Sequence, residues 1–153
     1  MIYDIFFIVL LATAIICSWQ ISVADWRRRI IPDAYLFPLL LIGLVITNFF
    51  PWPITPGAGA IAGAFGYLLA LVVGMVFEHV SPQKSIAPIG LGDVKLLGTG
   101  GIWLGPTGLA SALIIACVAG IIWGLRRKQK YIPFAPFFIC GGILSLITML
   151  FLI

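Results

Sequence analysis

The sequence predicts an all-α, polytopic integral membrane protein of about six transmembrane helices, with both termini outside the cytoplasm. Three observations predict it. Hydrophobic residues make up 62% of the 153 and charged residues only 9%, with a mean hydropathy of +1.19; a soluble domain carries ~45–50% apolar residues. The apolar residues fall into runs separated by polar or proline-rich turns, and most runs approach the ~20 residues a spanning helix needs. Finally, the basic residues crowd into alternate connections.

Segment one runs from about Ile2 to Ala24. An acid, Asp4, precedes its apolar run and arginines follow it, the reverse of a signal peptide's polarity, so it reads as a retained span. Asp25-Trp26-Arg27-Arg28-Arg29-Ile30-Ile31-Pro32-Asp33 forms the first connection, and segment two follows from about Ala34 to Phe50. Pro51-Trp52-Pro53-Ile54-Thr55-Pro56-Gly57 is an uncharged turn through which no helix continues.

Segment three covers about Ala58 to Phe77. Its Gly59-xxx-Gly63 pair, with Gly66 and Gly74, offers a small-residue face for close helix packing. The polar connection from Glu78 to Gly92 is the longest. Segment four, about Asp93 to Leu104, is short for a full span and implies tilting or entry at a thin or water-filled place. Segment five runs from about Thr107 to Leu125 and carries Gly120-xxx-Gly124. Pro133-Phe134-Ala135-Pro136 opens segment six.

Charge tests this arrangement. Arg27, Arg28, Arg29, Lys84, Arg126, Arg127, Lys128 and Lys130 lie in the connections after segments one, three and five. Lys95 lies just inside segment four on the same side, and no other Lys or Arg exists. The positive-inside rule puts these connections in the cytoplasm. The same placement accounts for the net charge of +4 without nucleic acid. No linker or low-complexity run divides the chain, so residues 1–153 read as one transmembrane domain.

Cys17, Cys117 and Cys140 sit in apolar runs without metal-ligand spacing, and His79 has no set of Cys, His or acid partners. No metal or other cofactor is expected. Trp19, Trp26, Trp52, Trp103 and Trp123 lie near segment ends, as an interfacial aromatic belt would place them.

Two acids remain. Asp25 ends segment one and Asp93 begins segment four, in Gly90-Leu91-Gly92-Asp93-Val94-Lys95-Leu96-Leu97. An acid within a membrane segment is costly and marks function by default. In this topology both lie at the cytoplasmic ends of their helices, at similar depth. Two converging carboxylates cannot both ionise cheaply, so they share a proton and titrate as a pair. Such a pair can hydrolyse a peptide bond: one carboxylate takes a proton from water while the other carboxyl gives one to the carbonyl. Residue by residue, plainer roles stand beside this one. Asp25 beside Arg27 and Arg28 can be a solvated interfacial acid, and Asp93 can be the N-cap of segment four.

Gly90-Leu91-Gly92-Asp93 resembles the GxGD signature of intramembrane aspartyl proteases. The run through Leu97, with Trp103-Leu104-Gly105 beyond it, resembles the type IV prepilin peptidases, the A24 leader peptidases. Asp25 leading through a basic stretch to Pro32-Asp33 is similar to that family's first aspartate motif. Pro133-Phe134-Ala135-Pro136 is similar to a later family segment, with Ala135 where glycine is usual.

The resemblance implies that Asp25 and Asp93 are the catalytic pair of a prepilin peptidase in the bacterial inner membrane. It would cut the leader of type IV prepilins or type II secretion pseudopilins at the cytoplasmic face. It places Gly90, Gly92 and Lys95 in the supporting motif, and Asp33, Pro133 and Pro136 on the possible substrate side. Lys95 reads more plainly as an interface-snorkelling side chain; the sharper alternative is a charge that steadies Asp93. Longer relatives carry a cysteine-bearing N-terminal region with methyltransferase activity, so a short, peptidase-only form is expected. The partners implied are a prepilin or pseudopilin and membrane lipid. A small transporter or secretion-assembly subunit would also carry isolated membrane acids, although no internal repeat of the transporter kind is visible. A degenerate peptidase would keep the fold.

Overall fold

In the computed structural model, which describes residues 2–80, 90–128 and 132–152, the apolar runs are α-helices. Helix α1 spans Ile2–Arg28, α2 Asp33–Phe49, α3 Pro56–Val80, α4 Leu91–Arg127 and α5 Phe134–Leu152. Four of these are long and apolar enough to cross a membrane, and α2, at 17 residues, is a shorter apolar helix. Among the described residues there is no strand. Most of the connection between α3 and α4, with Lys84, and part of that before α5, with Lys130, lie outside the described residues.

Local chemistry sets the helix ends. No glycine or proline interrupts α1, and Arg27 and Arg28 occupy its last turn, where cations favour the helix dipole. Arg29 then adopts a left-handed conformation (φ 57°), and its N–H donates to the Asp25 carbonyl at 3.0 Å, closing the helix. Helix α2 begins directly after Pro32. Helix α3 begins with Pro56, whose missing N–H is harmless in a first turn, and the Thr55 hydroxyl accepts the Ala58 N–H at 3.4 Å.

The sequence separates segments four and five, whereas the structure runs them together as one 37-residue helix with a sharp break at Gly105. A straight helix of that length would be ~55 Å long, well beyond a ~30 Å hydrocarbon core. The contacts show that the chain doubles back instead. A Cβ on Gly100 would meet Phe138 and, at 3.8 Å, Leu109; residues nine apart in a straight helix are ~13 Å apart along its axis. Next, Leu104 lies against Gly142, and Gly108 against Ser145 and Met149. The contacts then return along α5, with Ala112 against Gly141 and Gly120 against Ile132 and Phe137. Helix α4 is therefore a hairpin with a leading leg (91–104) and a trailing leg (106–127).

A single residue makes the reversal. Gly105 has φ 65° and ψ −175°, a conformation essentially confined to glycine. Pro106 then supplies the preset φ of a first helical position. With this break, successive helical runs alternate in direction, and the described basic residues Arg27, Arg28, Arg29, Lys95, Arg126, Arg127 and Lys128 gather at one end of the bundle. Asp25, Asp33 and Asp93 share that end.

The leading leg of α4 lies at the centre. The largest interface of α4 is with α3, where small residues allow backbone contact. Cβ atoms on Gly59, Gly63 and Gly66 would come within 2.7, 2.9 and 2.9 Å of the carbonyl oxygens of Ile102, Gly98 and Leu97. The predicted glycine face of α3 thus packs on α4 at these three positions. Gly74 meets open space and takes no part.

Trp103 departs from the expected aromatic belt. It is 9% exposed, its indole N–H donates to the Leu39 carbonyl of α2 at 3.0 Å, and its ring fills the space above Gly43. Its carbonyl, next to the break, accepts the Trp52 indole N–H at 3.0 Å, and the two rings meet edge to face at 5.5 Å. Two tryptophans thus satisfy polar groups around the reversal and tie α2 to it. Because a Cβ on Gly43 would lie 2.5 Å from the Trp103 indole nitrogen, Gly43→Ala is expected to destabilise the fold by ~1–3 kcal/mol. Thermal unfolding in detergent would measure it.

A second polar tie joins the trailing leg to α5, where the Ser111 hydroxyl donates to Ser145 Oγ at 2.9 Å. Outside, the surface is apolar. Phe65, Leu68, Ile114, Val118, Ile121 and Leu150 are all exposed, as helices facing lipid require.

Candidate active site

The first acid comes from α1. Asp25 stands one turn before the end of that helix, yet it is only 6% exposed. A buried carboxylate needs donors, and they come from across the bundle. The Ala135 N–H, in the first turn of α5, donates to Asp25 Oδ2 at 2.9 Å, and the Phe134 N–H is a second backbone donor beside it. Arg29, one turn further along the chain, adds a positive charge in range. Trp26, Trp123 and Phe137 pack beside this junction, with ring centroids 5.2 to 6.5 Å apart, and hold α1, the trailing leg and α5 together.

The second acid comes from α4. Asp93 is the third residue of the leading leg, and its Oδ2 accepts the Gly90 N–H at 3.3 Å, an N-terminal capping bond. Gly90 itself has extended backbone and no side-chain cap to offer. Gly92 serves proximity: a Cβ there would lie 2.8 Å from Ile31 Cβ, so the connection between α1 and α2 rests directly on the start of α4. Asp25 and Asp93 are close enough for the charge of one to act on the other.

Lys95 does not serve Asp93 in this arrangement. Its Nζ contacts both Asp33 carboxylate oxygens, at 2.9 and 2.8 Å, linking the start of α2 to the leading leg. The two side chains are 45% and 65% exposed, and ion pairs so open to solvent contribute less than ~1 kcal/mol. Lys95→Met is therefore expected to lower stability by no more than ~1 kcal/mol; a larger loss in chemical denaturation would show that the pair holds the helices.

Pro133 is fully buried immediately before α5, and Pro136 lies half-buried within its first turn. Asp33 begins α2 and is exposed. Asp25 thus meets the start of α5, where Pro133 and Pro136 flank its donor, Asp93 opens α4 with Gly90 and Gly92, and Asp33 and Lys95 pair between α2 and α4. The backbone donors at Phe134 and Ala135 did not emerge from the sequence. The available signal was a Pro-x-x-Pro helix start at the depth of an acid. Among the described residues, no three His, Cys, Asp or Glu side chains gather as a metal site would require.

Comparison with known proteins places this geometry in context. Residues 5–125 match the type IV leader peptidase family. A prepilin leader peptidase/N-methyltransferase of Burkholderia pseudomallei is 33% identical over 132 residues, covering 82% of this chain and 41% of that protein. One from Aeromonas salmonicida is 27% identical over 144 residues, covering 88% and 48%. A type 4 prepilin-like proteins leader peptide-processing enzyme of Escherichia coli O78:H11 is 29% identical over 144 residues, covering 89% and 51%. The chain spans about half the length of the curated relatives it matches. No solved structure matches it.

Proposed function

Because this chain belongs to the type IV leader peptidase family, we propose that it is an intramembrane aspartic endopeptidase that removes the leader from type IV prepilins or type II secretion pseudopilins. One observation supports the reading: Asp25 and Asp93, from helices far apart in sequence, lie at the same end of the bundle and close enough for the charge of one to act on the other. Two acids serving only as interfacial residues or helix caps would have no reason to converge.

The chemistry follows from the pair. One carboxylate takes a proton from a water molecule, and the water oxygen attacks the scissile carbonyl. The other carboxyl donates its proton to the carbonyl oxygen, giving a tetrahedral diol. Collapse breaks the C–N bond as the amine nitrogen takes up a proton, and the pair returns to its singly protonated state.

The topology agrees with this substrate. Counting both legs of the α4 hairpin, the reading has six membrane crossings with both termini outside and residues 1–153 working as one peptidase domain. The basic end that holds both aspartates then faces the cytoplasm of a bacterial inner membrane, where a prepilin leader would emerge. Asp33 and Lys95, an exposed ion pair at the same end, lie where a substrate's polar groups could reach them.

The test is a cleavage assay in membranes, pairing a prepilin that retains its leader with the wild-type protein or the double variant Asp25→Asn/Asp93→Asn. Conversion to the shorter mature product by the wild type alone establishes the reading. An uncut leader with several prepilins and pseudopilins would refute it and favour a transporter or assembly subunit.

A further inference from the structure

Helix α5 starts without a cap of its own. The residue before it, Pro133, has no side-chain oxygen to accept the free N–H groups of the first turn, and Pro136 carries no N–H at all. This leaves Phe134 and Ala135 as adjacent donors framed by two prolines. Both are beside Asp25, which reaches across from α1 to take the Ala135 N–H at 2.9 Å. The junction is sealed: Asp25 is 6% exposed, Ala135 0%, and Pro133 is fully buried.

We propose that the start of α5 is a positioning element of the peptidase site, in which the Ala135 N–H fixes the orientation of the Asp25 carboxylate relative to Asp93. The inference rests on the peptidase reading above. A carboxylate at the end of a helix can rotate about its terminal torsion, which is broad and shallow. A backbone donor cannot follow such a rotation, so a bond to one holds the carboxylate plane; bonds from N–H to carboxylate are also among the stronger hydrogen bonds. The two prolines stiffen the donor by fixing φ on either side of it. Ala135 touches neither water nor peptide in this role. It acts through Asp25, and its methyl group fits a position with no free surface.

The sharpest test deletes one hydrogen. Incorporating lactic acid at position 135 turns the Ala135 amide into an ester, keeping the methyl group and removing the N–H. A matched ester at exposed Leu144, made with the leucine hydroxy acid, weakens α5 without approaching Asp25. Both proteins are assayed beside wild type on a purified prepilin, at a temperature where circular dichroism shows each one folded. The ester at 135 is expected to lower kcat by ~100-fold, the scale for misplacing a reacting group by about 1 Å, with KM unchanged; the ester at 144 is expected to match wild type. Equal losses at both positions, no loss at 135, or a change confined to KM would overturn the positioning role while leaving the peptidase reading standing. Failure of the wild type to cut would remove both.

Discussion

Asp93→Asn is expected to lower the rate of leader cleavage by ~10⁴-fold, the upper range for losing one acid–base group, while the protein keeps its fold. Asn is isosteric with Asp, and its amide oxygen can still accept the Gly90 N–H that Asp93 takes at 3.3 Å. Asp25→Asn should behave alike, since its amide oxygen can still accept from Ala135. The informative quantity is the double variant. Residues that act as a unit are grossly non-additive, so Asp25→Asn/Asp93→Asn should lose about as much activity as either single change. Losses that multiplied would show two independent roles. Asp4→Asn, in the first turn of α1, controls for removing an acid at the opposite end of that helix and should cleave normally.

Gly101→Leu carries the largest expected structural effect. A Cβ at Gly101 would fall inside the backbone of Ala62 and Gly63 on α3. A side chain in the way can change rotamer, but a backbone can yield only by moving the helix. The cost should reach or exceed ~3 kcal/mol, the upper end for overpacked cores. Because the leading leg also carries Asp93, its displacement should abolish cleavage as well. Gly74→Leu, on α3 and facing open space, should change stability by less than ~0.5 kcal/mol. Unfolding midpoints in detergent, paired with the cleavage assay, separate the two outcomes.

The contrast between Gly101 and Gly74 shows how far the sequence could be read. Glycine spacing predicts a packing face on α3, and Gly59, Gly63 and Gly66 form it; the pattern does not say where that face ends. The Gly105-Pro106 dipeptide marks a break between two apolar runs. Only the structure shows that one residue completes the turn, because helical hydrogen bonding continues almost to the break on each side. Composition and charge order make the membrane helices legible, and the ordered motifs single out the two aspartates. The contacts that organise the site were hidden. Lys95 with Asp33, Trp103 with Leu39, and Ala135 with Asp25 all depend on how each helix is rotated about its axis. Hydropathy constrains that rotation poorly when a helix is apolar on nearly every side.

The bond between Asp25 and Ala135 also orders events during synthesis. The two residues are 110 positions apart, and chains grow at ~5–20 residues per second. For several seconds, then, α1 exists before the donors that its buried acid requires have been made. Until they arrive, water is the alternative partner for the acid, since a buried carboxylate without donors is costly. On the proposed peptidase reading, the first acid would settle only when α5 docks, so assembly of the bundle and onset of activity would be one event.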